Sequence, residues 1–364
     1  MTDDGTGGGD SPSNRLQRDP ELFLRWIQFG AVSPLFRTHC THCEIRPWLY
    51  PNYELLKPVY RFRSAMQPYI YSAQAAAAGL ISSADSISGR GVLPCHPCYY
   101  DWPEEEDAFV YTGQYLFGPA LLVAPITTKA DHYADDGDGA RDPAATKDIW
   151  LPPGSWVDFN TAEVHAGPAR LNQVPYKMSE IPMFARAGAV IPMRAPLEVS
   201  PQPNPLVLYA VGGGGDRPGR KKGSKVMTSS VYEDAGDGNN HATDAEEYRV
   251  TRIEQSTTAA LLHVFPNDAG KGFKGELLER SYEVRYRCSV SPDSRCYSSL
   301  AFNGKSLPEV DPPSAPADTD TAKTLPASPC FWREAESPSV IRVTAFLPNI
   351  TQSAGTRWSL AAKY

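Results

Sequence analysis

From Glu54 to Gly79 apolar residues recur at Leu56, Val59, Met66, Ile70, Ala73 and Ala77, spaced by three, four or seven, which places them on one face of a helix. Pro68 should kink that helix and Gly79 should close it. Upstream, Pro20 followed by ELFLRWIQFG predicts a short amphipathic helix ended by Gly30, and AVSPLFRTH then alternates towards a strand with polar residues at its far end. Beyond residue 90 the texture changes to short runs broken by Pro and Gly, among them VLPCHPCYY, ALLVAPI, DIWLPPGSW, MFARAGAVIPM, PLVLYAV, EEYRVTRIE, AALLHVF and SVIRVTAF. Strands at regular spacing with turn chemistry between them predict two β-sandwiches. Residues 130–147, 211–225 and 311–323 read as surface loops, and no repeat of 20 to 50 residues is visible.

Composition changes this picture little. A chain of 364 residues at 41% hydrophobic and 21% charged can bury two or three cores. A formal charge of -7 argues against a nucleic-acid or anionic-membrane partner, either of which wants a concentrated basic face. The basic run Arg217 to Lys225 lacks the glycine-lysine order that cradles phosphate and reads as a solvated loop. No apolar run approaches 18 residues, so no membrane partner is expected, and MTDDGTGGGDSPSN reads as a disordered tail over residues 1–19 rather than a secretory signal. The compartment is left unassigned. Seven cysteines are too sparse for a disulfide scaffold and are expected to be mostly free thiols.

SPLFRTHCTHCEIRPW packs His39, Cys40, His42 and Cys43 into five positions, the side-chain inventory of a transition-metal site. With Cys95 and Cys98 a four-cysteine zinc site can be drawn. However, 51 residues separate Cys43 from Cys95, against roughly 15–20 in zinc ribbons. Zinc at Cys40, Cys43, Cys95 and Cys98 is therefore the weaker alternative, and no cofactor is expected.

Blocks along the chain carry a family resemblance. ELFLRWIQFGAVSPLFRTH, RPW, MQPYIYS, CYYDWPEEEDA, QYLFGPALLVAPI, IWLPPGSWVDFNT and EIPMFARAGAVIP, in that order, resemble the C-terminal half of glycoside hydrolase family 31, the α-glucosidase and α-xylosidase family. VYEDAGDG and KGFKGELLERSYEVRYRC resemble its distal β-domain. The resemblance implies a mainly β chain: a remnant of a catalytic (β/α)8 barrel over residues 20–80, then a proximal β-sandwich over 81–197 and a distal one over 198–364. A whole barrel needs eight strand-helix units and about 250 residues, so only its last strand and helices are here. That segment must pack on the sandwiches, meet another polypeptide, or leave apolar faces exposed.

The resemblance also implies a retaining hydrolysis of α-glucosides or α-xylosides by two carboxylates about 5 Å apart. The family's nucleophile stands in a W-x-D-M-N-E motif and its acid/base in a G-D-N motif, and neither occurs in this sequence. No catalytic residue is therefore assigned, and the chain alone is expected to be inactive. SWVDFN places Asp158 where a nucleophile would stand, but its setting is the turn-and-strand signature of the proximal sandwich. Glu104, Glu105, Glu106 and Asp107 read as a solvated loop. His39 matches the family histidine of FR-x-H, at the strand end facing the sugar, and Arg37 and Trp48 are lesser candidates for the same rim. Arg37 is expected to pair with a carboxylate and Trp48 to pack. The implied partners are an α-linked oligosaccharide and the missing catalytic half. The other readings are a noncatalytic carbohydrate- or partner-binding β-module and a zinc-stabilised interaction protein.

Overall fold

A computed structural model describes the chain except residues 1–17, 42, 82–92, 136–140, 196–197, 199, 213–225, 244–245, 257–260, 290–296, 314–325, 338–339, 354 and 364. The basic run, most of two of the expected loops, and His42 thus lie wholly or largely outside the described residues.

The first element, α1 (Pro20–Ala31), is capped by Asp19, whose carboxylate accepts from the backbone N–H of Glu21 and Leu22 at 2.9 and 3.1 Å. Gly30 lies inside this helix instead of ending it. A Cβ there would stand 2.6 Å from the Phe36 ring, so the glycine serves close packing. The predicted single helix is two, α2 (Tyr53–Ala65) and α3 (Gln67–Ala77), broken at Met66. Pro68 falls in the first turn of α3, where its missing N–H costs nothing, so the break precedes it. Gly79, at φ +77°, does close the run: its N–H reaches Ala76 O and that of Leu80 reaches Ala75 O, a Schellman ending.

Three sheets complete the chain. The first orders Cys95–His96, Tyr115–Phe117, Leu121–Val123, Met183–Arg186, Arg141–Asp158 and His132–Asp135, with Val164–Lys177 also paired to Arg141–Asp158. Within the stretch expected to loop at 130–147, His132–Asp135 instead pairs antiparallel with residues 141–144. Both faces of this sheet are covered: Phe117, Leu121 and Val123 join one apolar cluster, and their alternates Leu116 and Leu122 join another with Trp150 and Trp156. The second sheet runs Val226–Asp234, Tyr248–Ser256, Leu261–Ala269, Trp358–Lys363, Ser299–Phe302 and Lys305–Ser306. The third runs Cys330–Ser337, Val340–Thr351, Glu279–Ser289, Leu206–Ala210 and Val190–Met193. These two enclose one core, with Ile253, Leu262, Val264 and Trp358 from one face meeting Leu208, Tyr282, Val284 and Val343 from the other. That is the expected distal sandwich.

Helix α3 is wedged between the β-blocks, while α2 packs its Leu56 and Val59 against α1. Met66, Tyr69 and Ile70 share a core with the first sheet and with Ile191, Val207 and Tyr209 of the third. Tyr69 donates its hydroxyl to Phe117 O at 2.6 Å and accepts from Ala120 N–H at 3.0 Å. On the other side of α3, Ser72 Oγ accepts from Tyr232 N–H at 3.0 Å, and Tyr71 donates to Asp234 at 2.8 Å. The barrel remnant is thus packed into the sandwiches through its helices.

Its predicted strand does not form. Residues 35–40 form no regular element, because a strand needs a neighbour to take its backbone hydrogen bonds and no described strand lies beside them.

Candidate functional site

The residues that the sequence marks for sugar contact all lie on the segment from Val32 to Tyr50. At its start, Arg63 of α2 donates through its guanidinium to the carbonyls of Ala31, Ser33 and Pro34, which fixes where the chain leaves α1. Burial pushes the Arg63 pKa down, as desolvation of a cation requires. At its end, Glu44 is buried and folded onto Arg46. Its Oε1 accepts from the N–H groups of Ile45 and Arg46 at 3.0 and 2.8 Å, and its Oε2 meets Arg46 Nη2 at 2.6 Å. The Arg46 guanidinium holds this carboxyl down to about 2. Tyr50 donates to Glu44 O at 2.9 Å and stacks on Phe23 of α1 with ring centroids 4.0 Å apart.

Between these anchors the side chains of Arg37 and His39 are exposed, and neither makes a hydrogen bond or ion pair among the described residues. Arg37 therefore has no carboxylate partner there, contrary to expectation. Trp48, in the short 3-10 turn Pro47–Leu49, is 61% exposed where packing was expected. The surroundings are unusually apolar for a free surface: Leu22, Trp26, Phe29, Leu35 and Leu49 are all exposed, Leu35 by 86% and Trp26 by 62%. The structure thus brings His39, Arg37 and Trp48 onto one open segment with large hydrophobes around it in sequence.

The cysteines depart from the expectation of mostly free thiols. Cys40 and Cys43 are joined to each other, and Cys288 is also disulfide-bonded, while Cys95, Cys98 and Cys330 are free. Bonded to each other, Cys40 and Cys43 are not available as thiolate ligands, and burial pushes the Cys95 thiol up to about 12, away from the ligating form. Sequence reasoning missed both this pairing and the two anchors. The adjacency E-I-R-P-W held a signal for the Glu44–Arg46 pair, whereas nothing in the sequence marks Arg63 as the clamp on residues 31–34.

The two decoys are structural. Asp158 is buried at a hairpin turn, where Oδ1 accepts from Asn160 N–H at 2.6 Å and Thr161 N–H at 3.1 Å. Of the acidic run, Asp107 opens a short helix, α4 (Asp107–Val110), and binds Arg170 through both oxygens at 2.8 and 2.9 Å.

Residues 6–73 match the sequence model of the glycosyl hydrolases family 31 TIM-barrel domain, and residues 91–191 match that of the glycosyl hydrolase family 31 C-terminal domain. The barrel match begins inside the stretch whose composition reads as a tail. An alpha-xylosidase of Saccharolobus solfataricus is 30% identical over 191 residues, which cover 52% of this chain and 23% of that protein. Neutral alpha-glucosidase C of Mus musculus is 30% identical over 189 residues, covering 50% of this chain and 18% of that one. This chain therefore spans less than a quarter of the length of either curated relative. In fold it is similar to a dextranase of Flavobacterium johnsoniae solved with isomaltotriose, at a TM-score of 0.68 and 21% identity, covering 95% of this chain and 37% of the dextranase.

Proposed function

This chain belongs to glycoside hydrolase family 31, whose C-terminal part it carries, and on that premise we propose that it is the sugar-facing edge and scaffold of a retaining α-glycosidase acting on α-glucosides or α-xylosides. The observation that carries the reading is the segment from Leu35 to Leu49, where Arg37, His39 and Trp48 stand exposed, residues 35–40 join no described strand, and Leu35 and Leu49 are uncovered. A complete barrel would cover such hydrophobes and give residues 35–40 neighbouring strands. His39 would then lie at the C-terminal end of the last strand, the face on which barrel enzymes keep their functional residues.

In the complete enzyme one carboxylate attacks the anomeric carbon while the other protonates the departing glycosidic oxygen. Water then releases the covalently held sugar, with the second carboxylate now acting as base. Neither carboxylate motif occurs in residues 1–364, so in the complete enzyme both carboxylates come from the catalytic half, outside these residues. His39 contributes a positioned hydrogen bond to the sugar, with Arg37 and Trp48 in lesser roles on the same rim. The isolated chain has no nucleophile for the covalent step and is inactive alone.

The test is hydrolysis of aryl α-glucosides and α-xylosides by the purified chain, free of other glycosidases, with and without the catalytic half. No turnover alone and turnover on complementation are expected. Turnover by the chain alone would overturn the assignment.

A further inference from the structure

The Cys40–Cys43 pair has no place in the glycosidase reading. We propose that it is a reversible thiol–disulfide exchange site for low-molecular-weight thiols, entered at Cys40, and that its opening loosens the backbone carrying His39. Exchange at this pair requires nothing of the proposed catalysis.

The two sulfurs differ in access. Cys40 is half-buried, whereas Cys43 is 8% exposed, so an external thiolate reaches Cys40 first. The Cys43 backbone N–H points at Cys40 Sγ, 3.2 Å away, and the same donor stabilises a thiolate on Cys40 once the bond opens. The bond spans a sequence separation of three, and short loops gain the least chain-entropy protection from a cross-link.

Its setting is equally permissive. Residues 35–40 carry no ladder hydrogen bonds and Cys43 takes part in a single β-bridge outside any strand, so the bond can open without unfolding a sheet. The contrast is Cys288, 7% exposed and set in the strand Glu279–Ser289, where it pairs with Ile341 of Val340–Thr351. The free thiols offer no competing chemistry, since burial pushes Cys95, Cys98 and Cys330 all upward, away from the nucleophilic thiolate.

The exchange takes two balanced steps. A thiolate RS⁻ attacks Cys40 Sγ, the disulfide's bonding pair leaves on Cys43, and Cys43 takes a proton. A second RS⁻ attacks the outer sulfur of the mixed disulfide and expels the Cys40 thiolate onto the Cys43 N–H. Two RSH become RSSR, two electrons pass to the protein, and RSSR reverses the reaction. In the oxidised form the disulfide ties residue 40, next to His39, to a chain anchored by the Glu44–Arg46 pair. In the reduced form that tie is gone.

The folded chain is equilibrated across ratios of glutathione to glutathione disulfide, quenched with N-ethylmaleimide, and mapped by peptide mass spectrometry. Circular dichroism monitors the fold, and tryptic cleavage after Arg37 monitors the segment. Cys40 and Cys43 should become alkylated together, as one two-electron couple, at ratios that leave Cys288 oxidised and the spectrum unchanged, while cleavage after Arg37 rises severalfold. A Cys43→Ser chain should collect one glutathione on Cys40. The exchange site is overturned if the air-oxidised chain is already alkylated at both cysteines, if the pair opens only together with Cys288 and loss of the fold, or if Cys43→Ser stays unmodified while Cys40→Ser takes glutathione at Cys43. Unchanged cleavage after Arg37 on full reduction overturns the loosening.

Discussion

Replacing Tyr69 by Phe isolates one hydroxyl on which the attachment of α3 to the first sheet depends. That hydroxyl donates to Phe117 O at 2.6 Å, accepts from Ala120 N–H at 3.0 Å, and sits on a side chain only 3% exposed. Burial pushes the phenol's pKa up, so it keeps its proton and its donor role through neutral and mildly alkaline pH. The substitution keeps the ring and its contact with Phe117, and so removes almost no apolar packing. It leaves a carbonyl and an N–H deprived of a buried partner, each costing about 1–3 kcal/mol, for a total of about 2–6 kcal/mol. The lower end applies if the turn shifts enough to admit water. Gly118 limits that shift, because it holds φ +61° directly beneath the phenol, where a Cβ would stand 2.5 Å from Tyr69 Oη. Urea titration at 25 °C, followed by tryptophan fluorescence, should show a lower midpoint with an unchanged slope. An unaltered midpoint would mean that the hydroxyl is not what fastens α3, and that apolar packing alone holds the helix.

The open segment yields further expected outcomes. Leu35→Ser should change the stability of the isolated chain by no more than about 0.5 kcal/mol, because the side chain is already in water. It should weaken binding of the catalytic half by about 1.5–3 kcal/mol, and equal affinity in a titration would remove Leu35 from that interface. In the complete enzyme His39→Ala should lower kcat/KM by about 5- to 150-fold, the equivalent of about 1–3 kcal/mol, and an unchanged value would take His39 out of the site. Arg46 lowers Glu44 from its ordinary 4.5 to about 2, so this stabilisation is complete above about 4.5 and fades as pH falls through 2. The stability gap between wild type and Glu44→Gln, followed by acid titration, should be flat above pH 5 and close below it. A pH-independent gap would refute the pairing.

The sandwiches were legible because their signal is local. Leu262 and Val264 alternate with outward neighbours along Leu261–Ala269, and one face of a sheet is enough to specify that pattern. The helical face of residues 54–79 was equally plain, and only the position of its break was misplaced, since a proline tolerated in a first turn cannot mark the turn before it. The strand expected over AVSPLFRTH has the pattern of a strand and does not form, because alternation states what a strand could pair with and no described strand lies beside it. The Cys40–Cys43 bond was illegible for a different reason. Spacing constrains which cysteines can meet and is silent on their oxidation state. His39 is marked by its motif alone, and the two anchors of the segment that carries it, Arg63 on α2 and the Glu44–Arg46 pair, depend on where α2 and the 3-10 turn come to rest.

Helix α3 belongs by sequence to the barrel and by contact to the sheets downstream of it. Tyr69 faces one sheet and Ser72 another, so a splice at the apparent border near residue 81 would hand both side chains foreign neighbours. Barrel and sandwiches in such a chain cannot be shuffled as separate cassettes. Any chimera has to inherit residues 53–81 together with the sheets they touch, because the contacts that seat α3 come from both sides of the apparent border.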